Sequence, residues 1–281
     1  FDSKQESETS ELIVQAMADM RYAAVNLGPS ELVNYSGPFE RYLFPASLPY
    51  VSANVRFHDT GERPFPAYRV VEVPVGATSG LPPEPLRTKP PDTLRIAIIG
   101  VADNRSRRIA FGPGGRSLIL TDPATEILEV LPKARQDADL VIVAAAGDQA
   151  TADQILLRSP EIDAILVGTD HVVWKEPRSS GRTKVFISGD RGRELVRVAI
   201  DRAEKGYELA FENIHLGETT VPEDRDVARV VEAAVTRFNE ESRELMKAAA
   251  ASHPPPDIAP YIGALKCSEC HARPIPPRRR K

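Results

Sequence analysis

Three short apolar runs, Leu94–Gly100, Leu140–Ala145 and Asp163–Val167, alternate with two stretches of helical spacing, Pro123–Arg135 and Thr151–Leu157. Strand-sized runs apolar along their length read as buried strands, and their alternation with helices predicts a layered α/β fold. In the first helix, Ile127, Leu128 and Leu131 are expected on the inner side.

The flanking regions read less strongly. Leu12, Ile13, Ala16, Met17, Met20 and Ala24 recur at three and four, predicting a helix over Glu11–Ala24 capped by Ser10. Ala23–Leu27 is then a short strand opening into a loop at Gly28-Pro29, and weak strands are expected at Tyr50–Val55 and Ala67–Val73. The Pro- and Gly-rich segment Pro74–Asp92 reads as an exposed insertion, because the α/β pattern resumes directly after it. Lys184–Ser188, Glu194–Ile200 and Tyr207–Glu212 come next with no room for helices between them, so this stretch is expected to be antiparallel. Leu195, Arg197 and Ala199 lie on one face of its middle strand and Val196, Val198 and Ile200 on the other, so both faces carry apolar residues, which predicts cover on both sides.

Asp224–Ala250 is the longest helical pattern, with Val227, Val231, Ala234, Val235, Phe238 and Leu245 on one stripe and charges opposite. His253 and Pro254-Pro255-Pro256 end it. No internal repeat is found. The expected organisation is a main domain over 1–218, a helix over 219–250 and a Pro-rich tail over 251–281.

With 281 residues, 42% of them hydrophobic, the chain is long enough for one large domain or two modest ones. Its 36 Lys and Arg against 40 Asp and Glu, a net charge of -4, argue against nucleic acid as a partner. The longest apolar runs fall far below the ~18 residues of a lipid-crossing helix, so membrane contact is expected only through a partner. Arg278–Lys281 reads as a solvated tail. Phe1 is not an initiator Met and no leader comes after it, so a processed or partial chain is expected.

The only two cysteines are Cys267 and Cys270, with His271 immediately after them. This C-x-x-C-H spacing suits c-type haem attachment: both thiols reach one edge of a porphyrin, and the next imidazole turns under its plane onto the iron. A disulfide, a zinc site short of a fourth ligand and free thiols are the competing readings.

Arg21–Gly28, Pro49–Val55 and Ala138–Val143, in this order, resemble the metallophosphoesterase domain of the periplasmic 5'-nucleotidase family over roughly residues 10 to 215. The resemblance implies a four-layer α/β/β/α sandwich with two metal ions at the C-terminal ends of its strands. The family's ligands come from Asp-x-His, Gly-Asp, Gly-Asn-His-Glu, Ser-His-x-Gly and Gly-His-x-His. The first two motifs would lie upstream of Phe1. The others read Gly28-Pro29-Ser30-Glu31, Ala144-Ala145-Ala146-Gly147 and Gly168-Thr169-Asp170-His171 here, so only His171 is kept. No dinuclear metal centre and no phosphoesterase activity are therefore expected. Asp170 and His171 read as local hydrogen-bonding groups, and Asp148 and Asp153 as capping or solvent-facing carboxylates. Tyr261–Lys266 is also similar to the approach to the first haem site of multihaem cytochromes of the c-554 type.

The combined expectation is an extracytoplasmic electron-transfer or accessory subunit carrying covalent haem c, docked in a larger respiratory or photosynthetic redox complex beside a cytochrome. Its haem would be held by Cys267, Cys270 and His271, with His271 on the iron. The second axial position is open among Met246, His253, His58 and His215. Alternatives are a haem-free capping subunit and a surviving metal-dependent nucleotidase.

Overall fold

The computed structural model describes residues 3–29, 32, 48–75, 93–105, 110–111, 116–159, 161–168, 177–188, 192–204, 206–217 and 221–252. The chain divides into two units, Phe1–Glu223 and Asp224–Lys281. In chain order the first unit holds α1 (Ser3–Asp19), β1 (Val25–Asn26), β2 (Tyr50–Val51), β3 (Val55–Phe57), β4 (Tyr68–Pro74), β5 (Thr93–Ala102), β6 (Ala110–Phe111) and β7 (Ser117–Leu120). It continues with α2 (Pro123–Asp137), β8 (Leu140–Ala146), α3 (Gln149–Arg158), β9 (Ala164–Gly168), β10 (Arg178–Ser180), β11 (Thr183–Ser188), β12 (Glu194–Arg202) and β13 (Tyr207–His215). The second unit opens with α4 (Arg225–Ser252), where the longest helical pattern is read. Of the expected insertion Pro74–Asp92, Pro74 belongs to β4, while residues 76–92, like the tail from 253 onward, lie outside the described residues.

The principal sheet runs β10-β11-β9-β8-β5-β4. β11, β9, β8 and β5 are parallel, while β4 and β10 are antiparallel edges. Because side chains alternate along a strand, odd-numbered residues such as Ile99, Val143, Ile165 and Val185 pack on Ile127, Leu131 and Ile155 of α2 and α3. Even-numbered residues Leu94, Ile96, Leu140, Ile142 and Ala164 face Ile200, Tyr207, Leu209 and Phe211 of the β12–β13 ribbon. Phe186 of β11 stacks on Phe211 at 5.5 Å between centroids. The layers thus run helix, sheet, sheet, and the central strands are apolar throughout because both faces are covered.

Four expectations are corrected. β11 lies parallel to β9 rather than antiparallel, since only the stretch after Ser188 lacks room for a helix. The β12–β13 ribbon is covered on one side: Val196, Val198 and Ile200 are half-buried, whereas Leu195 is 53% exposed. On its open face Arg197 pairs with Glu212 at 2.9 Å, so the residue between Leu195 and Ala199 is a surface ion. In α2 the buried stripe is Ile127, Val130, Leu131 and Ala134, and Leu128 turns outward at 44% exposure. Finally, α1 starts at Ser3, with Ser10 inside it, because Lys4, Gln5 and Glu6 are good helix formers that continue the turn toward the N-terminus. Its inner side is Val14, Met17 and Ala18, while Ile13 and Met20 are exposed.

A buried charge joins the small β3–β7–β6 sheet to α2. Glu126 accepts from Arg56 Nε at 2.8 Å and Nη2 at 2.5 Å, from Arg63 Nη2 at 2.6 Å and from Thr121 Oγ1 at 2.7 Å. On the opposite side of α2, Asp163 is buried between Arg135 at 2.6 Å and Arg182 at 2.5 Å and accepts the Val141 N–H.

Candidate functional site

Parallel strands feeding helices leave a rim at their C-terminal ends, where open α/β sheets bind ligands. Here Ala102, Ala146, Gly168 and Ser188 are register partners in successive pairs, so β5, β8, β9 and β11 finish flush. The rim is sewn by Asp103 N–H donating to Ala146 O at 2.8 Å and Gly147 N–H to Gly168 O at 3.1 Å. The residues forming its floor carry methyl groups or hydrogens, and the Ser188 hydroxyl donates to Val167 O at 3.4 Å.

Two asparagines hold the rim in shape. Asn54 Nδ2 donates to Ala102 O at 2.7 Å and Thr121 O at 3.0 Å, and its Oδ1 accepts the Ala102 N–H at 2.9 Å, so the end of β5 is locked to the strand beside it. Asn26 of β1 donates to Val101 O at 2.8 Å. That crossing needs Gly100, because a Cβ there would stand 2.5 Å from both Asn26 Oδ1 and Val51 O.

Above the floor lies one charged cluster. Arg105 bonds Asp103 through Nε at 2.8 Å and Nη2 at 2.5 Å, and the same Nη2 reaches Asp148 at 2.7 Å. Asp148 also caps α3: its Oδ1 accepts the Thr151 N–H at 3.1 Å, and Thr151 Oγ1 closes the capping box on the Asp148 N–H. Burial works against the Asp148 charge, but the hydrogen bonds from Arg105 and Thr151 prevail and hold it below the usual carboxylate range. The Asp103 and then the Asp148 hydrogen bonds raise Arg105 further above its ordinary value. Asp153 is exposed on α3. Asp148 and Asp153 are thus a capping and a solvent-facing group, as their positions in the sequence imply, whereas Arg105 was not legible, because nothing in its sequence neighbourhood points to Asp148.

A two-metal hydrolytic cage needs convergent, unoccupied oxygen and nitrogen donors around ions ~3.5–4 Å apart. The described rim does not fit one: Ala102, Ala146, Gly147 and Gly168 offer no side-chain donor, and Asp103 and Asp148 already share a guanidinium. Among the described residues no group of three or more His, Cys, Asp or Glu is placed to hold a metal ion. Asp170, His171, Cys267, Cys270, His271 and His253 lie outside the described residues. His58 is exposed just after β3, His215 bonds Glu194 at 2.7 Å at the end of the ribbon, and Met246 is exposed on α4. Among the described residues no helix is long and apolar enough to cross a membrane.

No family model matches the chain, and no curated protein matches its sequence. Solved structures do match its fold. A calcineurin-like phosphoesterase, YfkN, from Bacillus subtilis superposes with a TM-score of 0.61 at 16% identity over 83% of this chain and 75% of that one. A 5'-nucleotidase precursor from Thermus thermophilus gives 0.60 at 18% over 83% and 46%. A Thermus thermophilus sulfate thiohydrolase, SoxB, gives 0.56 at 21% over 72% and 34%. The chain therefore has the mixed α/β fold of calcineurin-like phosphoesterases and 5'-nucleotidases, and it spans less than half the length of the last two structures.

Proposed function

We propose that this chain is an extracytoplasmic subunit bearing one covalent haem c, and that its phosphoesterase-like unit docks it in a larger redox assembly beside a cytochrome instead of hydrolysing phosphate esters. The observation that carries the reading is the rim. Its two described carboxylates share the one guanidinium of Arg105 from within the chain, and methyl and pyrrolidine groups stand where the resemblance calls for metal ligands. With hydrolytic chemistry unsupported there, the complete chemical motif left is Cys267-x-x-Cys270-His271. When bound, a haem supplies one-electron transfer; Cys267 and Cys270 would anchor it by thioethers and His271 would take one axial position. Thioether attachment and paired cysteines both belong to an oxidising compartment, which supports a periplasmic or other extracytoplasmic location.

The test is the chain matured with a cytochrome c biogenesis system. A pyridine haemochrome spectrum and the mass of the denatured chain should both report one covalent haem, and Cys267→Ser should reduce its retention. A folded, colourless chain of unshifted mass would overturn the haem reading and leave a haem-free capping subunit. Turnover of a nitrophenyl phosphate or a nucleotide with added manganese would overturn the docking role.

A further inference from the structure

The outward face of the β12–β13 ribbon is a ladder of directly opposed side chains. Arg197 stands opposite Glu212, Ala199 opposite Ala210 and Asp201 opposite Glu208, with Leu195 at the far end. All seven are exposed. Ala199 and Ala210 leave the backbone between the charged rows nearly bare, so another surface can approach it closely. The charges do not balance. Arg197 answers Glu212 at 2.9 Å, whereas neither Asp201 nor Glu208 has a side-chain hydrogen bond or ion pair among the described residues. Like charges in directly opposed positions destabilise a strand pair, so this end of the ribbon carries a cost that a cation from outside would remove.

We propose that this face is the docking surface for a partner protein whose contact patch carries lysines around an apolar centre. This names the surface and the partner charge of the docking role proposed above, on which it rests. Charge decides the occupant. Three carboxylates face one guanidinium, so two copies of this chain laid ribbon to ribbon would set carboxylate against carboxylate. Lysines on a partner instead meet Asp201, Glu208 and Glu212, while Leu195 and the two alanines take its apolar centre. Size points the same way. Strands of nine residues at ~3.3 Å each, ~4.8 Å apart, give a face about 30 Å long and about 10 Å wide. That is well below the ~800 Å² per partner of a standard stable complex and suits the small contacts of transient redox encounters, in which opposite charge steers the approach.

Calorimetric titration of the full chain with a lysine-rich mitochondrial cytochrome c, a probe of the stated chemistry, tests this. The two should bind at low salt, about tenfold more weakly at ~0.2 M than at ~0.02 M salt, and the same probe with acetylated lysines should not bind. Glu208→Lys should weaken binding about tenfold. Because it sets a lysine opposite Asp201, it should leave the urea midpoint equal or higher, so lost binding is not lost folding. Asp153→Lys, the same change of charge on the exposed side of α3, should keep binding within about twofold. Carbodiimide cross-links should join the probe's lysines to Asp201, Glu208 or Glu212. No binding, binding unmoved by Glu208→Lys, or equal weakening by Asp153→Lys overturns the proposal, as does a dimer of this chain that Glu208→Lys breaks, which would assign the face to a second copy. Haem content and phosphatase turnover of the same samples keep the claims apart: a chain that binds through the ribbon but lacks haem or hydrolyses the ester sinks the reading above, and haem without turnover or ribbon binding sinks only this surface.

Discussion

Arg105 and Asp148 meet at 2.7 Å between the segment just after β5 and the cap of α3, and the same guanidinium nitrogen stands 2.5 Å from Asp103. One guanidinium is thus shared by two carboxylates from different segments of the chain.

Replacing that cation should not restore hydrolysis. Arg105→Ala exposes Asp103 and Asp148 but adds no further donor, so a manganese-supplemented phosphatase assay should remain blank. Because Arg105 is half exposed, the expected loss of stability is small, ~0.2–1 kcal/mol. Its sign is set by the lowered Asp148 value: the contribution is present above the unfolded carboxylate pKa near 3.9 and fades as pH falls through the lower native one. Urea midpoints of the two proteins should therefore differ at pH 7 and converge below about pH 4.

Glu126 should matter far more. Its side chain is 8% exposed and answers two arginines, so Glu126→Gln leaves Arg56 and Arg63 with only the exposed Glu129, at 2.8 and 3.1 Å, as counter-charge, at a cost of ~1–3 kcal/mol in urea unfolding at pH 7. Burial tends to raise the Glu126 carboxyl, but Arg56, Thr121 and Arg63 together hold it below its ordinary value. The wild-type chain should accordingly lose this contribution only as acid takes the pH below about 4.3 and through the lowered native value, a limb the variant should lack.

Two glycines on the same sheet should behave differently. Gly100→Ala drives a methyl into the Val51 carbonyl and Asn26 and should cost ~1–3 kcal/mol in a thermal melt. Gly168→Ala meets nothing within 4 Å and should stay within about 0.5 kcal/mol of wild type. Equal effects would mean that β1 and β2 do not cross β5 as described.

Tyr68 donates its hydroxyl to Asp137 at 2.6 Å. Burial, then the hydrogen bond and charge of Asp137, push its phenol up to about 12. In an ultraviolet titration one of the seven tyrosines should ionise late, and Tyr68→Phe should remove that phase. A raised phenol stabilises the fold fully below the unfolded value near 10, and this contribution is lost as pH rises toward about 12.

The core was readable because burial on both faces leaves a local trace. The runs at 94–100, 140–145 and 163–167 are apolar at nearly every position, and they became β5, β8 and β9, mutually parallel in the principal sheet. The short strands β6, β7 and β10 left no such trace, since Ser117–Leu120 is only four residues long and Arg178–Ser180 is exposed. Leu195 and Ala199 misled for a related reason: an apolar residue on a ribbon's open face resembles one on a covered face until the neighbouring layer is known.

What the sequence by itself determined is the alternation that forces a layered α/β core, since this is a property of order along the chain. Only the tertiary structure decided that Asp103, Arg105 and Asp148 share one cluster, that Asn54 locks the end of β5, and that Gly100 lies under Asn26 and Val51. Most of these contacts join residues tens of positions apart, and a charge or a missing methyl shows its purpose only once folding has brought its partner within a few ångströms.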